Sequence, residues 1–257
     1  MIRGTDYAEE MSVRRPPLAR ARMLVALAAA AVVALTVSTA SLAATIAPPR
    51  AARDLAQIYF TNGFVRAEVV TIAGRVEHDY RIDEGRVVVV RSTSIDLLER
   101  DGTRQTIAIS AQTVIAGVAP LSAPGRITRG TRVVALRDGN GAAQQIRPST
   151  WARVIGRTLM GGALVRAEVL NYQAKTLHDY RIDQGRIVAV KPASITLSER
   201  DGSRQAVSVT ASTLITMGGL TVDQSAVTKG LTATTIREGD GAAEQIMLGT
   251  ASLAVRR

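Results

Sequence analysis

Histidine occurs twice in this 257-residue chain, and each copy opens the same hexapeptide. His78-Asp79-Tyr80-Arg81-Ile82-Asp83 recurs as His178-Asp179-Tyr180-Arg181-Ile182-Asp183. Imidazole, carboxylate and phenol side by side suit a pH-sensitive position, a small-ligand contact or part of a metal site. On an extended strand, however, His, Tyr and Ile share one face, and the two Asp and the Arg share the other. One histidine per copy also falls short of the three or four protein ligands that zinc takes. The plain reading is a half-buried His and Tyr beside Ile, with Asp and Arg paired at the surface. His78, Asp79, Tyr80, His178, Asp179 and Tyr180 are the candidate ligand or pH-sensing positions, and no metal or cofactor is assigned.

Four further carboxylates have the spacing of acid–base groups: Glu68 with Glu168, and Asp83 with Asp183. Each has an arginine two residues away, Arg66 or Arg81 in the first copy, as same-face strand neighbours do. Such pairing keeps a carboxylate ionised, whereas a general acid needs its pKa raised. A hydrolase is therefore the remote reading. Asp138-Gly139-Asn140-Gly141 and Glu238-Gly239-Asp240-Gly241 have some of the oxygens of a calcium loop. The first copy lacks the distal bidentate Glu, and a Gly-rich hairpin turn explains both. Cysteine is absent, which excludes disulfides, thiolate metal sites and thiol nucleophiles. No P-loop and no Ser-His-Asp spacing is present.

These residues ride on a duplication of constant offset, one hundred residues, running without a gap from about residue 52 to residue 250. Roughly 40% of the paired positions are identical. A period this long marks a duplicated domain rather than a solenoid turn. Each copy reads as all-β. Arg86–Arg91 and Arg186–Lys191 are β-branched runs, and Ile95, Leu97, Ile195 and Leu197 alternate with smaller or polar residues. Asp101-Gly102 and Asp201-Gly202 predict tight type I′ hairpins. The hairpin from Val65 is expected to end in a compact turn at Asp83-Glu84-Gly85, copied as Asp183-Gln184-Gly185. Six or seven short strands per copy predict a small closed or nearly closed barrel, with a sandwich as the alternative.

The expected layout is a basic flank at 1–22, an apolar segment at 23–47, a linker at 48–63, a first barrel at 64–148, a linker at 149–163, a second barrel at 164–248 and a tail at 249–257. Trp151, the single tryptophan, is expected where the two units meet.

Several of these strand and turn signals form a wider pattern. It runs through Val88 to Val90, Ile95-x-Leu97, Asp101-Gly102, Ile107-x-Ile109, Thr113-x-Ile115, Gly130 and Ala143-Gln144-Gln145-Ile146, with its counterpart in the second copy. This resembles a family of exported bacterial domains of unknown function with small OB-like or SH3-like barrels. The resemblance covers about half the chain, from Gly85 to Ile146 and its copy, and rests on turn and core residues. It implies an extracytoplasmic, non-catalytic module, and it leaves out the hairpin that carries His-Asp-Tyr.

The first residues point the same way. Arg14, Arg15, Arg20 and Arg22 precede an uncharged stretch from Met23 to Ala47, with Ser41-Leu42-Ala43 fitting a small-x-small cleavage rule. A cleaved export signal is read ahead of an uncleaved transmembrane anchor; both place the repeats outside the cytoplasm. The formal charge of +10, almost wholly arginine, favours an anionic envelope polymer, a lipid surface or another envelope protein as partner. Aromatics make up only 3% of the chain, and only Tyr80 and Tyr180 repeat, which speaks against base stacking and so against nucleic acid. The expected function is a non-enzymatic envelope binding module. The alternative is a small-ligand or metal-binding protein using the His-Asp-Tyr strands.

Overall fold

Strand β1 (Phe64–Ala73) alternates strictly where it matters most: Ala67 and Val69 are buried, Arg66 and Glu68 are not. Its copy β8 (Leu164–Gln173) repeats the pattern with Ala167 and Val169. Each therefore has one apolar face and one charged face. In the computed structural model, which describes residues 50–117, 127–161 and 163–249, these two strands pair with each other, antiparallel. Ala67 lies opposite Val169, Glu68 opposite Glu168, and Val69 opposite Ala167. This register exchanges one copy with the other, so a pseudo-twofold axis passes between Glu68 and Glu168.

The rest of the sheet spreads outward from that axis. Hairpin partners β2 (Val76–Val90) and β9 (Thr176–Lys191) flank β1 and β8. Next come β6 (Arg132–Asp138) with β7 (Ala143–Pro148), and β14 (Thr232–Glu238) with β15 (Ala243–Gly249). Short parallel strands β5 (Val114–Ile115) and β12 (Leu214–Met217) follow, and β12 carries β13 (Leu220–Thr221). Two hairpins branch off, β3 (Ser94–Leu98) with β4 (Arg104–Ala108), and β10 (Ser194–Glu199) with β11 (Arg204–Ser208). They pair with the outer halves of β2 and β9.

The class is all-β, as the alternation predicted, but the sheet does not close. Among the described residues β4 pairs only with β3, and β5 only with β7. A closed barrel hides its edges within one repeat. Here the edge of β1 is hidden by the other copy instead. The described residues accordingly all fall within one compact unit.

Helices cover the apolar face. The approach segment before β1 contains α1 (Arg50–Tyr59), and the segment joining the copies contains α2 (Ala152–Met160). Ala152, Ile155, Gly156, Leu159 and Met160 form one stripe at helical spacing. Leu55, Ala56, Tyr59 and Phe60 form its counterpart one hundred residues earlier, so the helix belongs to the duplication. Both stripes join Phe64, Val69, Ile82, Leu164, Val169 and Ile182 in one central core. Fully burying such a side chain contributes roughly 1.5–3 kcal/mol. Two smaller cores sit farther out, one per copy, around Val87, Ile107 and Ile146 and around Ile187, Val207 and Ile246.

Three local expectations change. Asp83-Glu84-Gly85 is no turn: β2 runs straight through it. A Cβ at Gly85 would lie 2.9 Å from the Leu98 carbonyl oxygen, and one at Gly185 would lie 2.7 Å from that of Ser198. Glycine serves there to let β3 or β10 approach. The Asp-Gly hairpins form, but only the glycine takes positive φ, +87° at Gly102 and +88° at Gly202. Glu99 and Gly102 close a wider loop, and the Asp101 carboxylate accepts the Thr103 N–H at 2.9 Å. Trp151 is 40% exposed and lies beneath the Arg147 guanidinium, 4.9 Å from the ring centroid. The flank at 1–22, the segment at 23–47, most of the loop from Ala116 to Gly125 and nearly all of the tail lie outside the described residues. Among those described, no helix is long and apolar enough to cross a membrane.

The helix pair supplies a stability test. A Cβ at Gly156 would stand 2.5 Å from the Phe60 ring. Gly156→Ala is expected to destabilise by about 1–3 kcal/mol through overpacking, despite the better helix propensity of alanine. Thermal melting measures it; an unchanged or higher midpoint would mean that the helices are not held against each other.

Candidate functional site

The charged face of the central strands carries one row of side chains through six of them. Register places Arg137 beside Arg81, Arg81 beside Glu68, Glu68 beside Glu168, Glu168 beside Arg181, and Arg181 beside Arg237. At about 4.8 Å per strand the row spans about 24 Å. Three of its neighbouring pairs are like-charged: Arg137 with Arg81, Glu68 with Glu168, and Arg181 with Arg237. Directly opposed like charges in a sheet are destabilising.

Ion pairs from neighbouring rows hold this arrangement. Arg66 donates to Asp101 at 2.9 Å and meets Glu99 at 3.2 Å. Arg166 meets Glu199 at 2.9 Å and Asp201 at 2.6 Å. The Asp-Gly hairpins thus clamp back onto β1 and β8. Arg137 reaches Asp83 at 3.0 Å, and Arg237 reaches Asp183 at 3.2 Å. Arg81 is held more loosely. It donates to Asn140 at 2.9 Å but lies 3.6 Å from Glu68 and 3.8 Å from Asp79. Arg181 has its short contact, 2.6 Å, with the exposed Asp240.

Two clefts open on either side of the axis, of about 280 and 310 Å³. Arg66, Arg81, Asp83, Gln105 and Arg137 line one; Arg166, Arg181, Asp183, Gln205 and Arg237 line the other. Glu68 and Glu168 border both. The two linings match at every position except Val70 and Leu170, against roughly 40% identity over the whole duplication.

Burial works against the expected effect of arginine pairing on Glu68, Asp83 and Asp183. Arginine pairing was expected to keep them in the ordinary carboxylate range. Asp83 and Asp183 are instead raised, because loss of water outweighs Arg137 and Arg237. Glu68 is raised by burial and by Asp79, with Arg81 opposing and Glu168 adding. Glu99, whose side chain is fully buried, is pushed up to about 8 by burial, with Arg66 opposing and Asp83 and Asp101 adding.

The histidines lie on the other face. His78 Nδ1 is 2.8 Å from Asp138, and its ring stacks on Tyr80 at 5.4 Å. His178 Nδ1 is 2.8 Å from Glu238, and its ring stacks on Tyr180 at 5.9 Å. Tyr180 in turn packs on Tyr59 of α1 at 4.7 Å. Strands β1 and β8 separate the two histidine strands, so the copies meet at Glu68 and Glu168 rather than at His-Asp-Tyr. Asp79 and Asp179 project to the charged face, beside Arg81 and Arg181. The Gly-rich turns, considered above for calcium, spend their polar groups on His78, His178, Arg81 and Arg181. Among the described residues no three His, Asp or Glu side chains converge to hold a metal ion.

No family model matches the chain. No curated protein and no solved structure matches it either. The site therefore rests on its own geometry. Sequence reasoning singled out Arg66, Glu68, Arg81 and Asp83 but passed over Gln105, Arg137 and their copies. The signal was present, since Gln205 and Arg237 are identical to them at the constant offset.

Glu99 gives this arrangement a measurable signature. Its folded pKa of about 8 lies above its ordinary value of 4.5, so the folded chain holds a proton that the unfolded chain releases. Stability should fall as pH rises through that window. Glu99→Gln keeps an uncharged group in place and should make the decline shallower. Melting temperatures from about pH 5 to 9 test this; an unaltered slope would refute the buried, protonated Glu99.

Proposed function

We propose that the chain is a non-enzymatic binding module of the cell envelope whose recognition surface is the charged face at the pseudo-twofold axis. One observation carries the reading: the two cleft linings are all but identical, in copies that match at only roughly 40% of positions overall. Like-charge neighbours in a sheet cost stability, on the order of 0.2–1 kcal/mol each. Features that work against the fold and are kept in duplicate belong to function before structure.

The basic flank and apolar segment at 1–47 support placing the module outside the cytoplasm, secreted or anchored through 23–47. The arginine-rich remainder supports an anionic envelope polymer, lipid headgroups or another envelope protein as surroundings. The relation to exported OB-like or SH3-like domains enters as part of this proposal, with each outer core as a partly open barrel.

The full-length protein should sediment with cell-wall material or anionic vesicles at low ionic strength and be released by salt. Arg81→Ala combined with Arg181→Ala should weaken sedimentation while thermal melting stays cooperative. If the unaltered protein stays in the supernatant with both preparations, the proposal fails.

A hydrolase is the second reading, and the raised pKa values of Glu68 and Asp83 inside a cleft favour it. Two carboxylates lining one cleft, both raised by burial, are groups that acid–base catalysis could use. On that reading, incubation with wall polymer releases soluble fragments, and Glu68→Gln with Glu168→Gln abolishes the release. Undegraded polymer after prolonged incubation with the unaltered protein would exclude it.

A further inference from the structure

The charge count around the clefts narrows the ligand, given the proposed recognition surface on which this step rests. Each cleft is lined by three acids and three arginines: Glu68, Glu168 and Asp83 with Arg66, Arg81 and Arg137 in one, and Glu68, Glu168 and Asp183 with Arg166, Arg181 and Arg237 in the other. A purely anionic ligand would meet as many acids as arginines there. A purely cationic one would leave the guanidinium groups without a partner.

Those groups have donors to spare. Arg237 is 9% exposed at its side chain and lines a cleft, yet its Nε has no hydrogen-bond partner, whereas the Nε of its counterpart Arg137 donates to Asp83 at 3.1 Å. In both copies the buried Nε of Arg81 or Arg181 is without a hydrogen-bond partner. On the acceptor side, Asp183 is 7% exposed, and its Oδ2 has only the 3.2 Å ion pair with Arg237. Buried donors and acceptors without partners are costly. A ligand that supplies both signs would meet guanidinium groups and carboxylates that the chain itself satisfies only in part.

We infer that the two clefts are equivalent subsites for a dipolar ligand, a short peptide end or amino acid, one molecule per cleft. Its ammonium group sits at the shared Glu68–Glu168 pair. Its carboxylate sits on the guanidinium groups of Arg81 and Arg137, or of Arg181 and Arg237. Fork-shaped guanidinium groups recognise carboxylates with two parallel hydrogen bonds. The cleft volumes, about 280 and 310 Å³, suit one or two residues and exclude a folded segment. Free peptides and the peptide branches of a wall polymer share this chemistry.

The test is calorimetric titration of the full-length protein with alanyl-alanine, as the L,L and the D,D isomer. Parallel titrations use its N-acetylated form, its C-terminal amide and inorganic phosphate. Saturable binding of two dipeptides per chain, weakened about tenfold or more by blocking either end, is expected. Preference for the D,D isomer would point to wall peptides, and preference for the L,L isomer to free peptides; both support the ligand class. Arg81→Gln with Arg181→Gln, and separately Glu68→Gln with Glu168→Gln, should abolish the heat signal while melting stays cooperative. Phosphate binding as well as the dipeptide, a stoichiometry of one, or no saturable binding at millimolar dipeptide would each overturn the inference. Sedimentation with envelope material that persists while the dipeptide fails to bind overturns the ligand class alone. Dipeptide binding without sedimentation overturns the envelope reading alone.

Discussion

Everything in this molecule depends on the antiparallel pairing of β1 with β8. Either strand alone would present an unsatisfied row of backbone N–H and C=O groups, apolar on one face and charged on the other. Pairing the copies removes both edges and does more. It merges two narrow apolar faces into one broad enough for two helices, and so creates the largest core in the chain. The outer cores, with eight and eleven fully buried residues against eighteen in the central one, are accessories to it. The same pairing sets Glu68 opposite Glu168, because a twofold register must place some residue opposite its own copy.

That self-opposition explains why the charged face is arranged as it is. A single repeat could pair every Glu with an Arg across a strand boundary. At a twofold axis the central pair must be like with like, and the compensation has to come from the flanks. Arg81 provides it in part, through a long contact with Glu68, while the buried arginines farther out are occupied by Asp83 and Asp183. Burial raises the pKa of Glu68, Asp83 and Asp183 against the pull of their arginines, so the face is open to polar groups from outside.

Much of the local structure was legible in the sequence. Period-two alternation gave the strands, and the Asp-Gly pairs gave the hairpins. The split of His78-Asp79-Tyr80-Arg81 into two faces follows from strand geometry alone. What escaped reading was long-range. The β1–β8 pairing joins residues one hundred positions apart, and no local signal distinguishes an edge that closes on its own repeat from one that closes on the other. Gly85 reads as a turn because glycine marks turns; here it marks a close crossing, which only the third dimension reveals. The helices were hidden because their buried residues diverged between copies. The clefts were hidden because Gln105 and Arg137 lie on strands far along the chain from Glu68.

That divergence within the helices bears on how the two halves recognise each other. Phe60 fills the notch above Gly156, while the corresponding residues of the exchanged positions are Met160 and Ala56. A pair built from two first halves would press a phenylalanine ring onto a methyl group for which there is no room. A pair built from two second halves would set a methionine over a glycine and leave a gap. The mixed combination fits at this contact, so the Phe60–Gly156 notch favours pairing of unlike halves.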